Sequence, residues 1–397
     1  MIFKLGLKNL KQNLFMNILI ILQMTTVFVI VIAMISTIVS RFQLYVPIKD
    51  KLNSKGYFYY VENAINPETN NTLRTTDELY QLLDNTKSIT AVYKPWIKYE
   101  DKNIETVSYD DEFIEMFTPE MVEGSWFNLN KESNDVIQVV VSENLYGLKV
   151  GDNISLDCYG SEIQAEIIGI MKDNTKTIGF TISKNGKYDC RNTYLNYCYD
   201  IEQKPLFIFS QKELKDKMVT MQLNGPVFVT YDTTVDNSVI ESNTNIMKKM
   251  TTLSITELNE MKENSLNYIF EQIYALLPIL ICVLILTLVG AMSISALATK
   301  KQLRNYAVYY ICGLKWKQCA WINCYSSLVC VISSFFLSLI ATVMVKKIRI
   351  LGETVIEIDF WQIIGCLITV LIYILLSMLL PLKIIGKNTP NQVLKSN

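Results

Sequence analysis

The chain has 397 residues, half of them hydrophobic, with 37 basic and 38 acidic side chains and no histidine. Those totals fit a two-domain soluble protein, but their distribution excludes one. Residues 12–40, 272–299, 318–345 and 360–382 contain no Asp, Glu, Lys or Arg, and each run is long enough to cross roughly 30 Å of hydrocarbon as a helix.

The first run follows Lys4, Lys8 and Lys11, as a secretory signal would. Its apolar part exceeds the roughly 7–15 residues of such a signal and no small-x-small site closes it, so it reads as a retained anchor. Residues 1–14, 300–317 and 383–397 together hold eleven Lys or Arg and no acidic residue, whereas residues 41–271 hold 23 basic and 35 acidic ones. Basic flanks stay in the cytoplasm, which places both termini inside and the acidic segment outside.

The sequence divides accordingly. Residues 1–43 form an amino-terminal cytoplasmic helix and first span, and 44–271 an extracytoplasmic α/β domain. The remaining spans are 272–299, 318–345 and 360–382, separated by a cytoplasmic loop at 300–317 and an outer loop at 346–359 and followed by a cytoplasmic tail at 383–397. The expected architecture is an α/β domain on a four-helix transmembrane domain, one span before it and three after.

Within the outer domain, "GYFYYVE", "SITAVYKPWIKYE", "VIQVVVSE", "NISLDCYG" and "EIQAEIIGIM" alternate like strands between Asn, Gly and Asp turns. "TTDELYQLLDN" predicts a short helix with Thr76 as its cap, and "DDEFIEMF" a second one. Residues 172–205, polar and rich in Asn and aromatics, read as a hairpin insertion. It fits a partner-gripping element and a surface elaboration equally.

Of nine Cys, only Cys158, Cys190 and Cys198 lie in the outer domain; the other six are in or beside the spans. Three is odd, so at most one bridge closes within the domain. Cys190 and Cys198 are the nearer pair, and free thiols fit as well.

"SITELNEMKENSLNYIFEQI" carries Ser254 and Glu257 at capping-box spacing, which predicts a helix start there. Leu258, Met261, Leu266 and Ile269 recur at three- and four-residue steps, and nothing breaks the pattern before the second span. A stalk helix over about 254–271, continuous with that span, would transmit displacement.

Between the second and third spans, Lys300, Lys301 and Arg304 precede Tyr306, Tyr309 and Tyr310. Gly313 stops the helix ahead of Lys315, Trp316 and Lys317. The charges suffice as topology anchors, and Tyr and Trp as interfacial residues. A Tyr-laden element with a Gly stop also fits docking of a cytoplasmic partner.

Phosphate-loop, dinucleotide, zincin, C-x-x-C and nucleophile-elbow motifs are all missing, and no pair of outer carboxylates stands out as an acid and base. The spans carry no ionisable carboxylate or amine for an ion-coupled pathway. Catalysis and cofactor binding are therefore not expected of this chain, nor is nucleic acid as a partner.

Residues 122–171, "VEGSWFNLNKESNDVIQVVVSENLYGLKVGDNISLDCYGSEIQAEIIGIM", hold a G-x-W-F turn at Gly124, Trp126 and Phe127, then "VGD" at Val150, Gly151 and Asp152. With "TKKQLRNYAVYYICGLKWKQ" and the tail "PLKIIGKNTPNQVLKSN", their order resembles the FtsX-like permeases, particularly those similar to MacB and the lipoprotein-release permeases. The resemblance covers most of the chain except residues 172–205. It implies the permease subunit of an ABC transporter working by mechanotransmission. A separate cytoplasmic ATPase, holding ATP and Mg, would dock on the loop bearing Gly313. A second permease, identical or different, would complete the complex, whose substrate would be an extracytoplasmic peptide, lipopeptide, lipoprotein or other envelope protein, with antimicrobial-peptide resistance among the implied roles. Asn305 replaces a commonly acidic residue and Tyr310 a common Arg, which implies different docking contacts or another subunit. Regulation of a cell-wall hydrolase, sensing of envelope stress, and a plain four-span receptor are the competing readings.

Overall fold

The computed structural model describes residues 2–129, 136–143, 146–159, 161–172, 175–183, 186–196, 204–250, 252–316, 318–348 and 360–395. It divides into two compact units, Gln43–Tyr268 and the pair of segments Met1–Phe42 and Ile269–Asn397.

The chain opens with α1 (Ile2–Gln12) and α2 (Leu14–Tyr45). Then come α3 (Lys49–Leu52), β1 (Lys55–Val61), α4 (Thr76–Leu82), β2 (Thr86–Pro95), β3 (Glu105–Tyr109), α5 (Asp111–Met116) and β4 (Met121–Gly124). The middle of the chain supplies β5 (Ile137–Ser142), β6 (Asn153–Asp157), β7 (Glu162–Met171), β8 (Lys176–Ile178), a 3-10 helix (Cys190–Thr193), β9 (Tyr194–Asn196) and β10 (Leu206–Ser210). After α6 (Gln211–Asp216), β11 (Met221–Tyr231), α7 (Asn237–Lys249) and β12 (Thr252–Glu257), the helices α8 (Leu258–Ile311), α9 (Gln318–Ile348), α10 (Phe360–Lys387) and α11 (Pro390–Lys395) finish it.

Among the described residues of Gln43–Tyr268, ten strands form one mixed sheet in the order β12-β1-β11-β2-β3-β10-β5-β7-β4, with β6 beside β7. Only β10 with β3 and β5 with β7 run parallel. One face presents Tyr59, Val61, Ala91, Tyr93, Val227 and Val229 to α4, α6 and α7 through Leu79, Leu214, Ile240 and Met247. On the other face Phe58 and Phe228 meet at 5.1 Å between ring centroids, with Phe113 of α5 6.0 Å from Phe228. Burial on both faces explains why β10 reads as a nearly continuous apolar run. Pro226 is tolerated inside β11 because the ladder to β2 shifts register between Leu223 and Val227, which spares the missing N–H.

Two short helices follow their sequence signals with one correction. Thr75, not Thr76, caps α4 by accepting from the Glu78 N–H, while the Thr76 hydroxyl meets that of Tyr93 at 2.9 Å. Asp110 caps α5, accepting from the Phe113 N–H at 2.9 Å and from the Ala91 N–H at 2.5 Å, so one buried carboxylate ties helix to sheet.

Gly124 ends β4 at φ +78°, and a Cβ there would lie 2.2 Å from the Ile168 carbonyl oxygen of β7. Gly151 turns the chain at φ +90° with open space around it, and the Asp152 carboxylate accepts from the Lys149 N–H. Ala at Gly151 therefore meets only left-handed strain, about 1 kcal/mol. Ala at Gly124 adds a backbone clash, on the order of 3 kcal/mol in all. Melting of the outer domain should fall by roughly 2–4 °C for the first and 6–12 °C for the second, and equal shifts would refute the close approach of β4 to β7.

In the other unit, four helices among the described residues are long and apolar enough to cross a membrane: α2, α8, the stretch Cys324–Met344 of α9, and α10. One precedes the α/β domain and three follow it. Glycines let these helices approach: a Cβ on Gly365 would meet Ile35 Cδ1 at 2.2 Å, and one on Gly290 would meet Gln23 Nε2 at 2.8 Å. Hydroxyls of Thr25, Thr287 and Ser334 bond carbonyls one turn back, which satisfies these polar groups within their own helices. Gln362 donates across to the Ser36 hydroxyl at 3.0 Å.

Candidate functional site

The cytoplasmic basic segment is not a separate short helix, as its sequence suggests, but the last turns of α8, which runs unbroken from Leu258 through Pro278 to Ile311. Gly313 ends it at φ +96°. Its N–H donates to the Tyr310 carbonyl and that of Leu314 to the Tyr309 carbonyl, both at 3.0 Å, the paired bonds of a Schellman stop. A Gly is required there because a side chain is strained in that left-handed conformation.

The sequence treats Tyr306, Tyr309 and Tyr310 as one aromatic surface, and the structure separates them. Tyr306 is fully buried with Leu314, Cys319, Ile322 and Ile385, and Tyr309 and Trp316 pack half-buried against this cluster. Trp316 Nε1 donates to the Ile385 carbonyl at 2.7 Å, bracing the loop on α10. Gln302 donates to Asn9 Oδ1, bracing it on α1. Exposed instead are Lys300, Lys301, Arg304, Tyr310 and Lys315. Val308 and Ile311 join them at 47 % and 68 % exposure, two residues the sequence reading missed. Positions 301, 304, 308 and 311 share one helical face, recognisable afterwards from their three- and four-residue spacing. Lys317 lies outside the described residues. The resulting patch is basic at one end and apolar at the other, suited to an acidic groove with an apolar floor.

At the other end of α8 lies a second constellation. Ser254 and Glu257, read above as a capping box, are the third and last residues of β12, and the helix starts at Leu258. Pairing with β1, where Ser254 lies opposite Tyr60, overrides the local helix signal. Leu258, Met261 and Ile269 are buried as their spacing predicts, and Leu266 is half-buried.

The hairpin insertion clasps this helix. Asp189 caps the 3-10 helix reciprocally with Asn192 and also holds Arg191 through both carboxylate oxygens, at 2.7–3.2 Å. Arg191 in turn lies 3.9 Å over the ring of Tyr268. Asn264 donates to the Tyr188 carbonyl at 3.1 Å, and the Cys190 N–H donates to the Ser265 hydroxyl at 2.8 Å. Phe180 stacks on Tyr60 of β1 at 3.9 Å. The insertion thus joins sheet to helix within the outer domain. Cys190 carries a free, buried thiol whose pKa burial pushes up to about 11, while Cys198 lies outside the described residues. Part of the hairpin and most of the outer loop 346–359 also fall outside them.

Among the described residues no group of three or more His, Cys, Asp or Glu could hold a metal ion. The features define a four-span membrane protein with both termini cytoplasmic and an extracytoplasmic α/β domain. Residues 18–194 match the family model of the MacB-like periplasmic core domain. Among solved structures, the periplasmic region of MacB from Actinobacillus actinomycetemcomitans is 12 % identical, covering 55 % of this chain and 96 % of that one, with a TM-score of 0.29. The extracellular domain of the noncanonic ABC-type transporter YknZ from Gram-positive bacteria is 11 % identical, covering 50 % and 100 %, also with a TM-score of 0.29. No curated protein matches the chain.

Proposed function

We propose that this chain is the permease subunit of an ABC complex that uses ATP hydrolysis in a separate cytoplasmic subunit to move its outer domain. The observation that carries this reading is α8 itself. One 54-residue helix has the insertion's clasp at Asn264, Ser265 and Tyr268 near one end and the exposed basic patch at Lys300, Lys301 and Arg304 near the other. Pro278 lies inside α8 and is the kind of residue that kinks a helix, but the helix continues through it to Ile311, so displacement at one end is passed to the other. A second permease, identical or different, completes the complex, and the membrane stretch of α8, the least covered of the four spans, is the surface offered to it. Cargo is a peptide, lipopeptide or lipoprotein taken up outside the membrane.

Affinity purification of the tagged chain from native membranes in mild detergent, followed by mass spectrometry, tests this. A stoichiometric cytoplasmic ATPase is expected. Recovery of the chain alone, or with only an envelope enzyme, favours the receptor or regulator.

A further inference from the structure

A groove of about 530 Å³ opens on the outer domain where β2 and β3 part. These strands pair only at Val92 with Tyr109 and Tyr93 with Ser108, and beyond that Lys94–Lys98 and Ile104–Thr106 become its walls. Its size falls within the roughly 300–1,000 Å³ of small-ligand sites. At its mouth stand Trp96, 43 % exposed, and Tyr159, 68 % exposed, their rings 5.2 Å apart at 44°. Tyr159 sits at φ +54°, a left-handed conformation unfavourable for a bulky side chain that a Gly would hold without strain. An aromatic ring kept exposed in a strained turn points to a use for the ring.

Among the described residues that line the groove are Lys94, Lys98, Lys204 and one carboxylate, Glu105, within a domain that is acidic overall. Asn63 and Gln222 add amides that both donate and accept hydrogen bonds. A peptide adding a strand would need free backbone groups, and these walls offer few. Pro95 has no N–H and its carbonyl is bonded to the Thr106 hydroxyl. The N–H groups of Trp96, Lys98 and Glu105 donate to Thr220, Asp157 and Pro205. Recognition therefore falls to side chains: aromatic faces for the C–H face of a sugar ring, amides and Glu105 for hydroxyls, lysines for an anionic substituent.

We propose that this groove binds an anionic glycan, a sugar chain bearing carboxylate or phosphate groups such as the space outside a bacterial membrane contains. The assignment rests on the outer placement of the domain and is independent of any ATPase, so either can fail alone.

The test measures binding of oligogalacturonate to the full-length protein in nanodiscs, beside malto-oligosaccharide of equal length and an oligo-glutamate peptide of equal charge. Oligogalacturonate should bind at least about tenfold more tightly than both, and more weakly as salt rises. Trp96→Ala, and Lys94→Glu with Lys98→Glu, should each weaken it about tenfold or more. Tyr159→Gly should weaken it too while leaving the melting temperature unchanged or higher, which a merely structural tyrosine would not do. Equal binding of the peptide, equal binding of the neutral sugar, no glycan binding, or undiminished affinity in a folded Tyr159→Gly protein would each overturn the assignment.

Discussion

Lys301→Glu combined with Arg304→Glu is expected to lower recovery of the ATPase partner on the order of a hundredfold while the chain still inserts and accumulates normally. Single exposed ion pairs contribute only about 0.2–1 kcal/mol. Reversal, however, turns two attractions into two repulsions on one helical face, and like charges brought together across an interface cost several kcal/mol. Both side chains are exposed, so neither change disturbs the cluster around Tyr306. Tyr310→Ala on the same surface should weaken association more modestly, because its exposed ring contributes apolar contact and no charge. Tyr306→Ala serves as the contrast: it removes a fully buried ring at a cost of about 3–5 kcal/mol and should reduce the amount of folded permease, not its affinity for the partner. The measurement is ATPase co-purified per permease at low and high salt. Undiminished recovery after the double reversal would remove residues 300–311 from the docking surface.

The sequence shows some of this directly and withholds the rest for physical reasons. Uncharged runs long enough to span a bilayer are a compositional signal that tertiary packing does not alter, so the presence of four spans, one before the α/β domain and three after it, is legible. Gly313 is legible too, because the Schellman stop is a local requirement. Ser254 and Glu257 mislead because S-x-x-E spacing is equally compatible with a strand, and the partner that decides, β1, lies nearly 200 residues away along the chain. The split between buried Tyr306 and exposed Tyr310 depends on α1 and α10, both remote in sequence. Neither the clasp of Arg191 on Tyr268 nor the meeting of Trp96 with Tyr159 has a local signature, since each joins residues more than 60 positions apart. The strained φ at Tyr159 is likewise invisible until the turn is seen.

A flexible insertion in α8 should abolish transmission while sparing ATPase binding and hydrolysis. The site for it is after Phe270, because Asn264, Ser265 and Tyr268 hold the clasp and an insertion before them would break those contacts as well. Six Gly-Ser residues there behave as a coil with a root-mean-square span of roughly 13 Å, long enough to absorb a displacement of a few ångströms instead of passing it on. Seven residues of an Ala-rich helix-forming sequence lengthen α8 by about 10 Å but complete nearly two turns, so the rod and its rotational phase persist. The readout is hydrogen exchange in residues 176–196, the hairpin that grips α8, with and without a non-hydrolysable ATP analogue on the docked ATPase. The unmodified protein and the helical insertion should show a nucleotide-dependent change in exchange, and the Gly-Ser insertion should show none at equal ATPase occupancy. Arg191→Ala, which removes a cation–π contact of about 0.5–1 kcal/mol, should leave a reduced change. A full nucleotide-dependent change across the Gly-Ser break would mean that motion reaches the outer domain by a route other than α8. The continuity of this helix would then be a matter of folding alone.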